Sequence, residues 1–179
     1  MQNLTKRLIM WAVIVVALLM IPFLAHWPWS AGDYVFGIVM LYGSALVYEL
    51  VARKLRTGAY RLAVGVAVAA AFLLVWINAA VGIIGDGPIN MLYLGVIAVG
   101  IVGAVASRLK PQGLMRTLVA MAIAQMLVPV VALIVGTPDF SPGVARVLGF
   151  NGFFALAFII SAILFRQADS TKLEAKLAV

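Results

Sequence analysis

The sequence predicts an all-α polytopic membrane protein, a six-helix transmembrane bundle arranged as three hairpins with both termini in the cytoplasm. Three observations carry that prediction. Hydrophobic residues make up 65% of the chain and charged residues 11%, with a mean hydropathy of +1.15; a soluble domain needs far more charge on its outside. Six long apolar stretches, near 8–25, 35–52, 61–84, 91–107, 114–136 and 148–166, fill the chain, each close to the roughly 20 residues that cross the hydrocarbon. Of the thirteen Lys and Arg residues, only Arg146 falls outside one parity of the connections. Lys6 and Arg7 precede the first stretch, and Arg53, Lys54, Arg56 and Arg61 separate the second from the third. Arg108, Lys110 and Arg116 separate the fourth from the fifth, and Arg166, Lys172 and Lys176 follow the sixth. Basic loops resist translocation, so these ends face the cytoplasm.

The first stretch, Leu8 to Ala25, outruns a usual signal-peptide core and leads into His-Trp-Pro-Trp rather than a small-residue cleavage site; it reads as a retained helix. The outer turn after it holds Asp33, just ahead of the second helix, and the later outer turns hold Asp86 and Asp139. A carboxylate there accepts orphan N–H groups and meets the positive end of the helix dipole. Pro88 suits a first helical position, and Asn90 opens the fourth apolar run. The functional alternative for the aspartates is an outer ring that attracts cations. Their spacing of 53 and 53 residues makes the chain one domain, 1–179, of three similarly oriented hairpins. Six helices of similar length with short loops produce such a period on their own; an internal triplication about an axis along the membrane normal is the other reading.

Polar residues at depth are costly, and four stand out. Gln125 lies near the midpoint of the fifth helix, four residues before Pro129, which has no N–H to give the Gln125 carbonyl. Either Gln125 bonds across a helix pair or it lines a ligand pocket. Asn78, in the outer third of the third helix, and Asn151, near the start of the sixth, line an outward-opening cavity or bond to adjacent backbone. Glu49, near the inner end of the second helix, has Arg53 four residues on, the favourable order for an ion pair. Small residues at spacing four, which let helices approach closely, recur at Ala63, Ala67 and Ala71, at Gly100 and Ala104 with Gly103 and Ser107, and at Ala120 and Ala124. They suit packing within the chain or docking to another subunit. Trp27, Trp29, Tyr34 and Trp76 gather toward the outer boundary as an aromatic belt.

The chemistry of an autonomous enzyme is not expected. There is no cysteine, hence no disulfide, thiolate or Cys-ligated metal. His26 is the sole histidine and sits among tryptophans, so paired-histidine haem ligation within the chain is ruled out. Gly43-Ser44 lacks the spacing of a rhomboid-like serine motif, Gly85-Asp86-Gly87 is not the motif of intramembrane aspartyl proteases, and no phosphate-cradling Gly-rich motif is present. The sequence predicts no catalytic residues, no cofactor and no metal. The net charge of +7 and pI near 10.2 reside in short loops beside helix ends, where they meet lipid head groups. No basic stretch is interleaved with aromatics, so nucleic acid is not a predicted partner.

The stretch Trp76-Ile77-Asn78-Ala79-Ala80-Val81-Gly82-Ile83-Ile84-Gly85, continuing through Pro88-Ile89-Asn90-Met91-Leu92-Tyr93, resembles a segment of small bacterial six-helix inner-membrane proteins of uncharacterised activity. With the fourth and fifth helices, the likeness covers about one third of the chain. It implies a multipass protein of a bacterial inner membrane and no activity. In size, six helices in this length resemble the substrate-binding components of energy-coupling-factor vitamin transporters, which meet their coupling subunit through alanine stripes. Here the stripe Ala63, Ala67 and Ala71 lies on the third helix rather than the first.

Two function classes follow. One is a non-enzymatic accessory or scaffold component that docks to other membrane subunits or to itself. The other is a small-solute binding or transport component, with Gln125, Asn78 and Asn151 as polar contacts for an apolar or amphipathic solute.

Overall fold

A computed structural model describes residues 2–54, 57–85, 87–135 and 143–177. Asp86 and Asp139 lie outside the described residues. The structure is helical throughout its ordered elements: α1 (Gln2–Leu24), α2 (Ala31–Ala52), α3 (Gly58–Val81), a 3-10 turn (Pro88–Met91), α4 (Leu92–Ala106), α5 (Pro111–Val135) and α6 (Val144–Leu177). Six of these segments are long and apolar enough to cross a bilayer, and the chain is an integral membrane protein. The ends differ from the apolar runs for a physical reason. Apolar runs mark hydrocarbon, whereas α1 starts at Gln2 and α6 continues to Leu177 because the flanking polar residues include good helix formers and no Gly or Pro.

The chain divides into two compact units, Met1–Arg53 and Lys54–Val179. The first is an antiparallel hairpin. Pro22 lies inside α1, and His26 closes the helix at φ 52, its N–H donating to the Phe23 carbonyl. Trp27, Trp29 and Tyr34 form a run of ring contacts around the turn, with centroids 6.0 and 5.4 Å apart. Ser30 caps α2: its hydroxyl accepts from Asp33 N, and the Asp33 carboxylate accepts from Ser30 N at 2.7 Å. Asp33 thus has the capping role its position predicts, as the third residue of a capping box rather than the cap itself.

In the second unit α5 and α6 pack along much of their length. Residues Val147, Asn151, Phe154, Phe158, Ser161, Phe165 and Ala168 of α6 are all buried and alternate in steps of four and three. On α5 Leu114, Leu118, Met121, Gln125, Val128 and Ala132 are buried in the same rhythm. A repeat of 3.5 residues keeps one stripe facing a neighbour over many turns, as in left-handed helix pairs. α3 packs on α6 and α4 on α5, while α3 and α4, although joined by a turn, touch sparingly. The hairpin pattern therefore describes the packing of α1–α2 and α5–α6, and α3 and α4 each lean on the α5–α6 pair.

Small residues make these contacts possible. A Cβ at Gly100 would strike Met121, and one at Gly103 would strike Thr117; both glycines serve the α4–α5 seam. Ala63 is fully buried and its carbonyl accepts from Ser161 Oγ at 2.7 Å, tying α3 to α6. Tyr60 meets Phe165 edge-on at 5.2 Å and donates to the Leu109 carbonyl at 3.1 Å. Ala120, by contrast, faces outward and Ala124 is half-buried, so that stripe is not the α5 seam.

The α3–α4 turn is built around one side chain. α3 ends at Val81, earlier than its apolar run, because Gly82 turns at φ 63, where a Cβ would collide with the Gly85 carbonyl. Ile83 and Ile84 leave the helix yet stay buried, and both their N–H groups donate to Asn90 Oδ1 at 3.1 Å. Asn90 Nδ2 donates to the Gly85 carbonyl at 2.7 Å, and Pro88 takes the first position of the 3-10 turn. Asn90→Ala strands two buried donors and is expected to cost about 3 kcal/mol. Thermal unfolding in detergent checks this; an unchanged midpoint would refute the role given to Asn90.

Candidate functional site

Three groups of polar side chains stand out, beside the buried Ser161 hydroxyl that donates to the Ala63 carbonyl. The first joins α4, α5 and α6. Gln125 and Asn151 occupy the facing stripes of α5 and α6, which brings them together: Gln125 Nε2 donates to Asn151 Oδ1 at 3.0 Å. Asn151 Nδ2 donates to the Tyr93 hydroxyl at 3.0 Å and to the Val147 carbonyl at 2.8 Å. All three side chains are fully buried. Asn151 thus spends both its donors and its acceptor, which makes it the hub. Gln125 Oε1 is buried and accepts no hydrogen bond among the described residues. Asn151 lies two turns into α6, which begins at Val144.

Asn78 stands apart from that group. Its Nδ2 donates to the Asn90 carbonyl at 3.1 Å, so it braces the α3–α4 turn, an adjacent-backbone role. Its Oδ1 is buried without a partner among the described residues.

The third group belongs to the first unit. Glu49 is 1% exposed, and its Oε1 accepts from Trp11 Nε1 at 3.0 Å and pairs with Arg7 Nε at 3.1 Å. The predicted partner Arg53 is therefore corrected to Arg7. An antiparallel hairpin sets the start of α1 beside the end of α2, and Glu49 points into the hairpin. Arg53 caps α2 with a helical backbone, but the Glu49 carboxylate is turned toward α1, where Arg7 and Trp11 meet it, rather than along its own helix. The half-exposed Arg7 keeps its head group near water while its stem crosses apolar surface.

Chemically, an amide–amide–phenol cluster holds helices together, each bond contributing roughly 1 kcal/mol in a membrane. It offers hydrogen bonding but no strong base. Among the described residues no three His, Cys, Asp or Glu side chains gather as a metal site. Sequence reading missed Tyr93, Arg7, Trp11 and the organising role of Asn90. The signal for Arg7 was present, since hairpin geometry places residues near 7 beside residues near 49. Tyr93 carried no comparable signal, because its depth follows from how α4 leans on α5.

No family model matches the chain, nor does any curated protein or any solved structure.

The Glu49 pair yields a test. Removing one partner of a buried ion pair leaves an uncompensated charge, whereas replacing both is mild. Arg7→Met is expected to cost about 2 kcal/mol, and adding Glu49→Gln should restore at least half of that, since Gln still accepts from Trp11. Equal destabilisation in the single and double variants, measured by reversible unfolding in mixed micelles, would contradict this pairing.

Proposed function

We propose that the chain is a non-enzymatic accessory or scaffold component of a bacterial inner membrane, with both termini cytoplasmic, docking to another membrane subunit or to a second copy of itself. The observation that carries this reading is the use made of the deep polar residues: Gln125, Asn151 and Tyr93 bond to one another, and Asn78 to a turn carbonyl. Functional polar groups in membranes face a pathway or a substrate, whereas these hold helices. The basic-loop pattern supports the orientation, and the sequence resemblance supports the bacterial inner membrane.

The docking surface favoured by the packing is the outward face of α5 around Ala120 and Ala124. The other small-residue stripes are engaged in whole or part within the chain, through Ala63, Gly100 and Gly103, while Ala120 is exposed. Small residues on a lipid-facing surface permit close approach of a further helix.

A second reading, a small-solute binding component, is favoured by one observation. Gln125 Oε1 is a buried acceptor with no partner among the described residues, and an unmet acceptor in a low-dielectric interior favours a donor from elsewhere.

One experiment separates the two readings: native mass spectrometry of the protein released from its own membranes in mild detergent, beside the variants Ala120→Leu/Ala124→Leu and Gln125→Leu. Docking predicts a stoichiometric protein partner or a dimer that the alanine variant loses while its unfolding midpoint holds. A bare monomer carrying a small molecule that Gln125→Leu loses would replace the first reading with the second. Assembly unchanged by the alanine substitutions would remove the α5 face from the account.

A further inference from the structure

A cavity of about 530 Å³ opens at the end of the second unit where α4 turns into α5. Arg108, Lys110 and Arg116 line it, together with Gln112, Gly113 and Asp169. Asp169 is the one carboxylate on this wall, and its Oδ2 accepts from Gln112 Nε2 at 2.7 Å. Among the described residues the ion pair is Arg7 with Glu49, and none of these three cations has a carboxylate within ion-pair distance. A cavity carrying three positive charges and one negative charge selects for an anion.

The turn holds these cations in place at a conformational cost. Arg108 and Leu109 are consecutive non-glycine residues in the left-handed region, at φ 51 and φ 59, a conformation that surrounding structure must enforce. The enforcement is visible: Leu109 N donates to Ala104 O, Lys110 N donates to Ser107 O, and the Leu109 carbonyl accepts from the buried Tyr60 hydroxyl. The wall also includes Gln112 and Gly113 in the first turn of a 25-residue helix, the positive end of its dipole.

Depth points to the source of the anion. The α4 span ends at Ala106 and the α5 span begins at Pro111. The cavity therefore lies at the boundary between hydrocarbon and water, the level at which lipid phosphates sit, and Arg116 is within about 8 Å of the start of its helix. Basic pockets at such span ends suit phosphate head groups.

We infer that this cavity is a binding site for a phosphate-bearing anion, supplied by the head group of an acidic phospholipid. The phosphate meets Arg108, Lys110 and Arg116, and the acyl chains lie along the adjoining apolar helix surface. Arginine suits this task because its planar fork meets two phosphate oxygens at once.

The test uses the full chain in mild detergent, delipidated and then offered dioleoylphosphatidylglycerol, dioleoylphosphatidylcholine or inorganic phosphate, with retained adducts read by native mass spectrometry. Phosphatidylglycerol should be retained over phosphatidylcholine. Each cation near an anionic head group contributes roughly fivefold, so R108Q/K110Q/R116Q should weaken retention by about a hundredfold. R53Q/K54Q, in a different basic loop, should retain phosphatidylglycerol as the unaltered chain does. D169N, which removes the opposing charge, should raise retention by up to about fivefold; this gain does not depend on a variant losing its fold. Inorganic phosphate that displaces the lipid at low millimolar concentration would uphold the phosphate site and make a soluble anion its occupant. Equal retention of both lipids, or a folded triple variant that retains phosphatidylglycerol undiminished, would overturn the inference.

Discussion

In hydrocarbon, a donor or acceptor without a partner has no water to fall back on, and this constraint governs where polar residues can stand in the chain. Helices satisfy the backbone. The few polar side chains inside the spans must then find one another, and their positions decide which helices meet. Asn151 is the clearest case, since it touches Gln125 on α5, Tyr93 on α4 and its own helix through the Val147 carbonyl. In an apolar solvent there is little hydrophobic drive for one helix to choose another. Such a hub supplies the choice, and close packing at Gly100 and Gly103 supplies the contact area.

The same constraint shapes the turns. Asn90 replaces, with one amide, the intrahelical partners that Ile83 and Ile84 lose when α3 ends at Gly82. Those two residues remain buried outside a helix because their N–H groups are met. In the first unit, Glu49 is kept inside the α1–α2 hairpin by Arg7 and Trp11.

Much of this was legible in the sequence. Six helices and their approximate ends follow from apolar run length, and a capping role for Asp33 follows from its place just before the second apolar run, although the helix starts two residues earlier, at Ala31. A bond from Gln125 across a helix pair was one of the two readings its depth allowed, the other being a ligand pocket. What was hidden depends on rotation and lateral packing, which periodicity does not specify. The partner of Glu49 is on another helix, so a local i,i+4 rule pointed to Arg53. Which alanine stripe faces inward depends on which helices meet; Ala63 does, and Ala120 does not. Arg108, Lys110 and Arg116 were read as topology signals, and only the turn geometry gathers them around one cavity.

The claim that the deep polar residues hold α4, α5 and α6 together is tested most directly by a double-mutant cycle between Tyr93→Phe and Asn151→Ala, with stability read from reversible unfolding in mixed micelles. A bonded pair predicts that the two changes are not additive, with a coupling of about 1 kcal/mol. Strict additivity would mean that the hydroxyl and the amide do not interact, and would contradict the account.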